Sequence, residues 1–149
     1  YGYEGEWKDG VPSGEGEFLY PDRTKYIGEW EFGEKNGHGT WTSPDGFKYV
    51  GRFKDGVRFG HGIWTYHDGR NYVGEFRRGK FNGQGTYTWP NGDVYDGEWK
   101  NEEKHGKGIY TFSNSCKIQG QWSHGKYDGK GYIVIIDGGI LYDISLENY

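Results

Sequence analysis

The chain of 149 residues has no methionine, no alanine and a single cysteine, Cys116. One thiol excludes an intrachain disulfide and a four-cysteine zinc site, and it fits a reducing compartment. Long apolar runs are missing as well. The longest, Tyr132–Ile136, is far too short to span a bilayer, and no signal-like apolar segment is found. No stretch carries an apolar stripe at a 3.6-residue step, which argues against amphipathic helices. The chain also begins without methionine, inside a repeated motif, so a piece of a longer protein is expected.

Glycine and aromatic residues supply what the aliphatics do not. There are 29 glycines, 7 tryptophans, 14 tyrosines and 8 phenylalanines. Glycine without aliphatics would suggest disorder. Regularly placed aromatics argue the other way, because each can bury a large apolar area. Net charge is −4 and unevenly spread: residues 1–47 carry 4 basic and 10 acidic side chains, residues 48–80 carry 8 and 3. No nucleic-acid partner is expected from this balance. The basic middle makes Arg52, Arg58, Arg77, Arg78 and Lys80 candidates for an acidic partner or anionic lipid headgroups. An ordinary solvated face is the plainer reading of the same charges.

The dominant signal is a 23-residue beat. Tyr3-Gly5-Trp7 returns as Tyr26-Gly28-Trp30, Tyr49-Gly51-Phe53, Tyr72-Gly74-Phe76 and Tyr95-Gly97-Trp99, then fades to Ile118-Gly120-Trp122. Gly-x-Gly keeps the same step from Gly14/Gly16 to Gly129/Gly131. A strict period of this length predicts stacked units that bury their apolar faces on one another. Within a unit, Tyr72, Gly74 and Phe76 share one face of a strand, and Gly85, Tyr87 and Trp89 share one face of the next. Pro44-Asp45-Gly46, His67-Asp68-Gly69 and Pro90-Asn91-Gly92 read as hairpin turns, with a longer turn from Arg78-Gly79 to Asn82-Gly83. The expectation is all-β: an elongated, twisted, single-layer antiparallel meander of about twelve strands. A β-solenoid is the alternative, and the Asp-Gly turns weigh against it. Residues 1–138 form the array, and residues 139–149 a capping or partner-binding tail. Each glycine beside an aromatic is expected to leave bare backbone on which a neighbouring strand's ring can lie.

The consensus Tyr-x-Gly-Glu-Trp-x-x-Gly-x-x-x-Gly-x-Gly-x-Tyr-x-x-x-Asp-Gly resembles the MORN (membrane occupation and recognition nexus) repeat. The resemblance implies a twisted antiparallel sheet whose aromatic side forms a shallow groove, filled in some relatives by a helix or peptide. It also implies roles like those of arrays in radial-spoke heads, junctophilins, plant phosphatidylinositol-phosphate kinases and protist scaffolds. The chain departs from the pattern where Arg23 and Glu102 replace turn glycines and Asn114-Ser115 replaces Asp-Gly.

Catalytic motifs do not survive inspection. No helix follows any Gly-x-Gly, and Gly125-x-x-x-Gly129-Lys130 is one residue short of a P-loop. His38 and His61 occupy equivalent turn-adjacent positions without a third ligand in register, so no metal is expected. No nucleophile–base set can be assembled and no cofactor is implied. The expectation is therefore a non-enzymatic scaffold for protein–protein interaction, in the cytoplasm, at the cytoskeleton or a ciliary axoneme. Trp41, Trp64, Tyr66, Tyr87, Trp89, Tyr110 and Phe112 are the candidate groove for a partner helix or peptide, since contiguous aromatic surface marks binding sites. Two alternatives stand beside it: a peripheral-membrane module meeting anionic phospholipid, and a regulatory array of a larger enzyme. Ile133 and Ile135, in a strand apolar on both faces, are candidates for capping or for pairing with a second copy.

Overall fold

A computed structural model describes the backbone of residues 2–137 and 140–145, and the side chains of residues 2–131. The chain divides into two compact units, residues 1–80 and residues 81–149. The first holds β1 (Gly2–Lys8), β2 (Val11–Leu19), β3 (Lys25–Glu31), β4 (Glu34–Thr42), β5 (Lys48–Lys54), β6 (Val57–Thr65) and β7 (Asn71–Arg77). Each pairs antiparallel with its sequence neighbour, an open meander. The second holds β8 (Lys80–Thr88, whose first residue closes the first unit), β9 (Val94–Lys100), β10 (Glu103–Thr111), β11 (Lys117–Ser123), β12 (Lys126–Asp137) and β13 (Ile140–Ser145). These pair in the same neighbour-to-neighbour way. Every element among the described residues is a strand, so the all-β meander holds and a solenoid does not. Twelve strands come from six repeats. The thirteenth, β13, lies in the expected tail and pairs along β12 from Tyr132↔Ser145 to Asp137↔Ile140. Residues 138–139 and 146–149 of that tail lie outside the described residues.

The turn assignment changes. The tight two-residue connections are Asp9-Gly10, Asp55-Gly56 and their equivalents, between the two strands of one repeat. Both central residues have positive φ (51° and 80° at Asp9-Gly10), the geometry whose twist matches a β-hairpin. Arg78-Gly79 is such a turn by itself, while Asn82-Gly83 lies inside β8. The Pro-Asp-Gly segments form the longer loops between repeats, as where Ser43 N–H donates to the Phe47 carbonyl and Gly46 N–H to that of Ser43. A sequence reading sees Asp-Gly in both places, and the pairing partner decides which loop is short.

Gly-x-Gly has two tasks. The first glycine sits in a bulge, as between Gly28 and Trp30, where the register of β3 on β4 shifts. Gly37 there has φ +93°, open to few residues other than glycine. The second glycine faces the glycine of Tyr-x-Gly across the ladder: Gly28↔Gly39, Gly51↔Gly62, Gly97↔Gly108. The tyrosine two residues earlier lies along this pair, and its hydroxyl donates to the backbone carbonyl three residues on (Tyr26 to Glu29, 2.9 Å; Tyr49 to Arg52, 2.8 Å). A methyl group on Gly39 would lie 2.3 Å from the Tyr26 hydroxyl, and one on Gly97 would lie 2.5 Å from the Gly108 Cα. Glycine is therefore required by packing, and Tyr26, Tyr49, Tyr72 and Tyr95 are fully buried over it.

Neighbouring repeats are joined by these rings. Tyr26 meets Trp30 of its own repeat and Phe53 of the next edge-on at 5.1 and 5.0 Å, and Tyr95 meets Trp99 and Trp122 at 5.2 and 5.3 Å. Edge-to-face contacts of this kind add roughly 0.5–1.5 kcal/mol each beyond area burial. Trp30, Trp99 and Trp122 donate their indole N–H to the carbonyls of Gly16, Gly85 and Gly108, fourteen residues earlier. The consensus glutamate closes the bulge: Glu98 accepts the Lys107 backbone N–H at 2.6 Å, and Glu29 accepts that of His38.

Candidate functional site

From the second repeat onward the strand-one Tyr and Trp or Phe are buried in the fold, which leaves Trp41, Trp64 and Tyr110 of the second strands half-exposed beside them. In the first unit Trp41 on β4 and Trp64 on β6 both pair with Tyr49 on β5. Two strand spacings separate their backbones by about 9.6 Å. Their rings nonetheless stack, with centroids 5.7 Å apart and planes inclined by 16°. They can lean together because the Tyr49 ring runs along its own strand toward Gly51 and Gly62. Tyr66 meets Trp64 edge-on at 6.1 Å. Both tryptophans and Tyr66 are half-buried, so one flank of each is open to solvent.

Tyr20, Tyr66, Trp89 and Phe112 recur at one repeat position, which in the second repeat holds Ser43, and Phe47 supplies a ring there instead. Its ring lies 5.9 Å from Trp64, 6.0 Å from Tyr66 and 5.3 Å from His67. Sequence reasoning missed this residue. The repeat position of Phe47 holds Thr24, Arg70, Asp93 and Cys116 in other repeats. Arg70 there stacks 4.2 Å over Tyr66 and pairs with Asp68 at 2.8 Å. One variable position thus sets the rim chemistry repeat by repeat.

A cleft of about 330 Å³ opens beside the tryptophan stack, lined by Lys35, Trp41, Phe53, Val57, Arg58 and Trp64 together with Gly56 and Gly79. The Arg58 guanidinium lies 4.4 Å from the Trp64 ring centroid and donates from Nη2 to the Gly79 carbonyl at 2.6 Å. The Lys35 ammonium lies 5.5 Å from the Tyr20 and Phe53 rings and 5.7 Å from Tyr26. Burial, and then the charge of Arg58, hold the Lys35 ammonium below the usual lysine range. Lys35 was not among the sequence candidates. Its signal was a fixed offset five residues after the repeat's Trp or Phe, where Pro12, Lys35, Arg58, Phe81, Lys104 and Tyr127 stand.

The basic candidates do not form one patch. Arg58 faces the aromatic cleft, whereas Arg52, one residue before the buried Phe53, alternates to the opposite face. Arg52 also occupies the position of the bulge-closing glutamate, opposite His38. Arg77, Arg78 and Lys80 are exposed at a hairpin turn. On that opposite face Ile27, Val50, Ile63 and Val73 form an apolar row, each 39–47 % exposed.

In the second unit Tyr87 is buried, 4.5 Å from Trp89 and 5.8 Å from Trp99. Trp89 meets Tyr110 at 5.2 Å, and Tyr110 meets the more exposed Phe112 at 4.8 Å. Lys104, the counterpart of Lys35, points its ammonium at Trp89, Tyr95, Tyr110 and Trp122 from 5.2–5.8 Å. Asp93 accepts the Tyr110 hydroxyl at 2.8 Å and the Ser113 backbone N–H at 2.9 Å. The tyrosine bond is the main cause that holds the Asp93 carboxyl below the usual carboxylate range. Burial first, and then Asp93, push Tyr110 up to about 12. The strand β12 carries Ile133 and Ile135, opposite Ile144 and Tyr142 of β13, and their side chains lie outside the described residues.

Among the described residues no group of three or more His, Cys, Asp or Glu is placed to hold a metal ion. The family model for the MORN repeat matches six successive segments, residues 3–25, 26–48, 49–69, 72–94, 95–117 and 119–140. A comparison with curated proteins finds no match to the chain.

Proposed function

This chain belongs to the MORN repeat family, and from that premise we propose that it is a scaffold whose first unit holds a partner helix or peptide on its aromatic face. Arrays of this family are protein- or membrane-binding modules and are generally non-catalytic. The observation that carries the protein-binding reading is the half-exposed Trp41–Trp64 stack, extended by Phe47 and Tyr66 and opening on a cleft. Tryptophan, tyrosine and arginine in one concave patch are the residue types that dominate binding energy at interfaces. The second unit supports a similar role through Trp89, Tyr110 and Phe112. A place in a cytoskeletal or ciliary assembly rests on the family resemblance alone.

The test is selection of phage-displayed random peptides on the whole chain. Clones that bind the parent protein should lose binding to a Trp41→Ala/Trp64→Ala variant whose circular dichroism is unchanged. Clones that bind both proteins equally would place the contact elsewhere. A second reading, docking on anionic phospholipid, is supported by the exposed Arg52, Arg77, Arg78 and Lys80.

A further inference from the structure

We propose that the cleft between Lys35 and Arg58 is a carboxylate pocket, which takes an Asp or Glu side chain of the partner peptide while an adjoining apolar side chain lies on the Trp41–Trp64 stack. The inference rests on the protein-binding reading above and specifies its chemistry.

Two cations share the cleft, and none of the eight residues lining it is acidic. Both are held by their surroundings. The next hairpin turn fixes their backbones, because Gly56 N–H donates to the Lys35 carbonyl at 2.9 Å and Gly79 N–H to that of Arg58 at 3.2 Å. Aromatic rings hold their side chains: Tyr20, Tyr26 and Phe53 around Lys35, Trp64 beneath Arg58. These rings contribute attraction for a cation but remove water from it. Two like charges in a partly dehydrated cleft oppose each other, and Lys35 registers this through burial and the charge of Arg58. An incoming carboxylate relieves that repulsion and meets donors already oriented, a lysine ammonium and a planar guanidinium. Such a pocket selects for charge more than it adds raw affinity.

The occupant is a side-chain carboxylate within a peptide because the apolar stack adjoins the cations. A free anion would leave the tryptophans uncovered. Lys104 in the second unit has aromatic neighbours of the same kind, but Tyr127 stands at the repeat position of Arg58, so it offers a weaker version of the pocket.

The experiment uses the phage-displayed peptides on the whole chain, followed by resynthesis of the best clone. Asp or Glu should be enriched beside Leu, Ile or Phe. Replacing that acid by Gln should cost the parent protein about tenfold in affinity. The loss should vanish on Lys35→Gln and on Arg58→Gln, each read as a double-mutant cycle with the peptide. Lys35→Gln stands independently should Arg58→Gln disturb the fold through Gly79. A Lys35→Glu protein should enrich Lys or Arg at the same peptide position. Trp64-dependent clones without acidic preference, or a Gln peptide that binds as well as the Glu peptide, would overturn the pocket and leave the groove standing. Binding of a phosphoserine version but not of the Glu version would also overturn it. Recovery of no Trp64-dependent clone would overturn both.

Discussion

At the scale of single residues, the repeat separates glycines that need space from glycines that need an unusual backbone. Gly97 is extended, and what it lacks is room, since its absent methyl would meet the Gly108 backbone. Glu102 is the opposite case. It stands with φ +69° where equivalent turns have glycine, as at Gly56 with +79°. Left-handed backbone costs an L-residue roughly 1–2 kcal/mol, partly offset by the unfolded-state entropy that glycine adds. Gly97→Ala should therefore destabilise by about 2 kcal/mol or more through overpacking. Glu102→Gly should raise the melting temperature by about 1–3 °C. Thermal unfolding followed by circular dichroism checks both, and equal shifts of one sign would refute the distinction. Arg23 and Ser115, with φ +69° and +73°, belong with Glu102. All three departures that the sequence exposes are substitutions at left-handed positions.

Strands and loops were legible to different degrees. The alternation of Tyr72, Gly74 and Phe76 fixes a strand and its buried face, and the fold class follows from it. The loops misled because Asp-Gly satisfies positive φ in a two-residue hairpin and in a longer turn alike. The rings of the candidate groove were legible as aromatics at a 23-residue step. The burial of Tyr87 was not, nor were the contacts of Phe47, Lys35 and Lys104, which are made across strands and which no local pattern states. Asp93 is another such residue, tying one inter-repeat loop to Tyr110 and Ser113 in the next repeat. Its carboxyl is held below the ordinary range when folded, so near and below about pH 4 the unfolded chain binds more protons. Its contribution is present above that pH and is lost as pH falls through the folded value. Asp93→Asn should lower stability at neutral pH and flatten the acid limb of stability against pH. Urea unfolding between pH 2.5 and 7 measures this, and parallel limbs for the two proteins would refute it.

For the molecule as a whole, the two functional readings separate by ionic strength. Exposed charges are screened within about 8–10 Å at physiological salt, whereas a stack of rings is not. Cosedimentation with phosphatidylserine vesicles should therefore be weak and vanish at high salt. Strong vesicle binding at physiological salt, lost both at high salt and in an Arg77→Gln/Arg78→Gln/Lys80→Gln variant, would instead favour the lipid reading. The links between successive hairpins carry one more consequence. Trp30 reaches Gly16 and Trp122 reaches Gly108 across the same fourteen residues, and Gly56 reaches Lys35 as Gly125 reaches Lys104. A copying error that duplicates one whole repeat in the gene restores each of these offsets, whereas a single inserted codon breaks several at once. Such a gene can lengthen or shorten by unequal recombination without passing through a misfolded ancestor, and selection can then rewrite the rim positions one copy at a time.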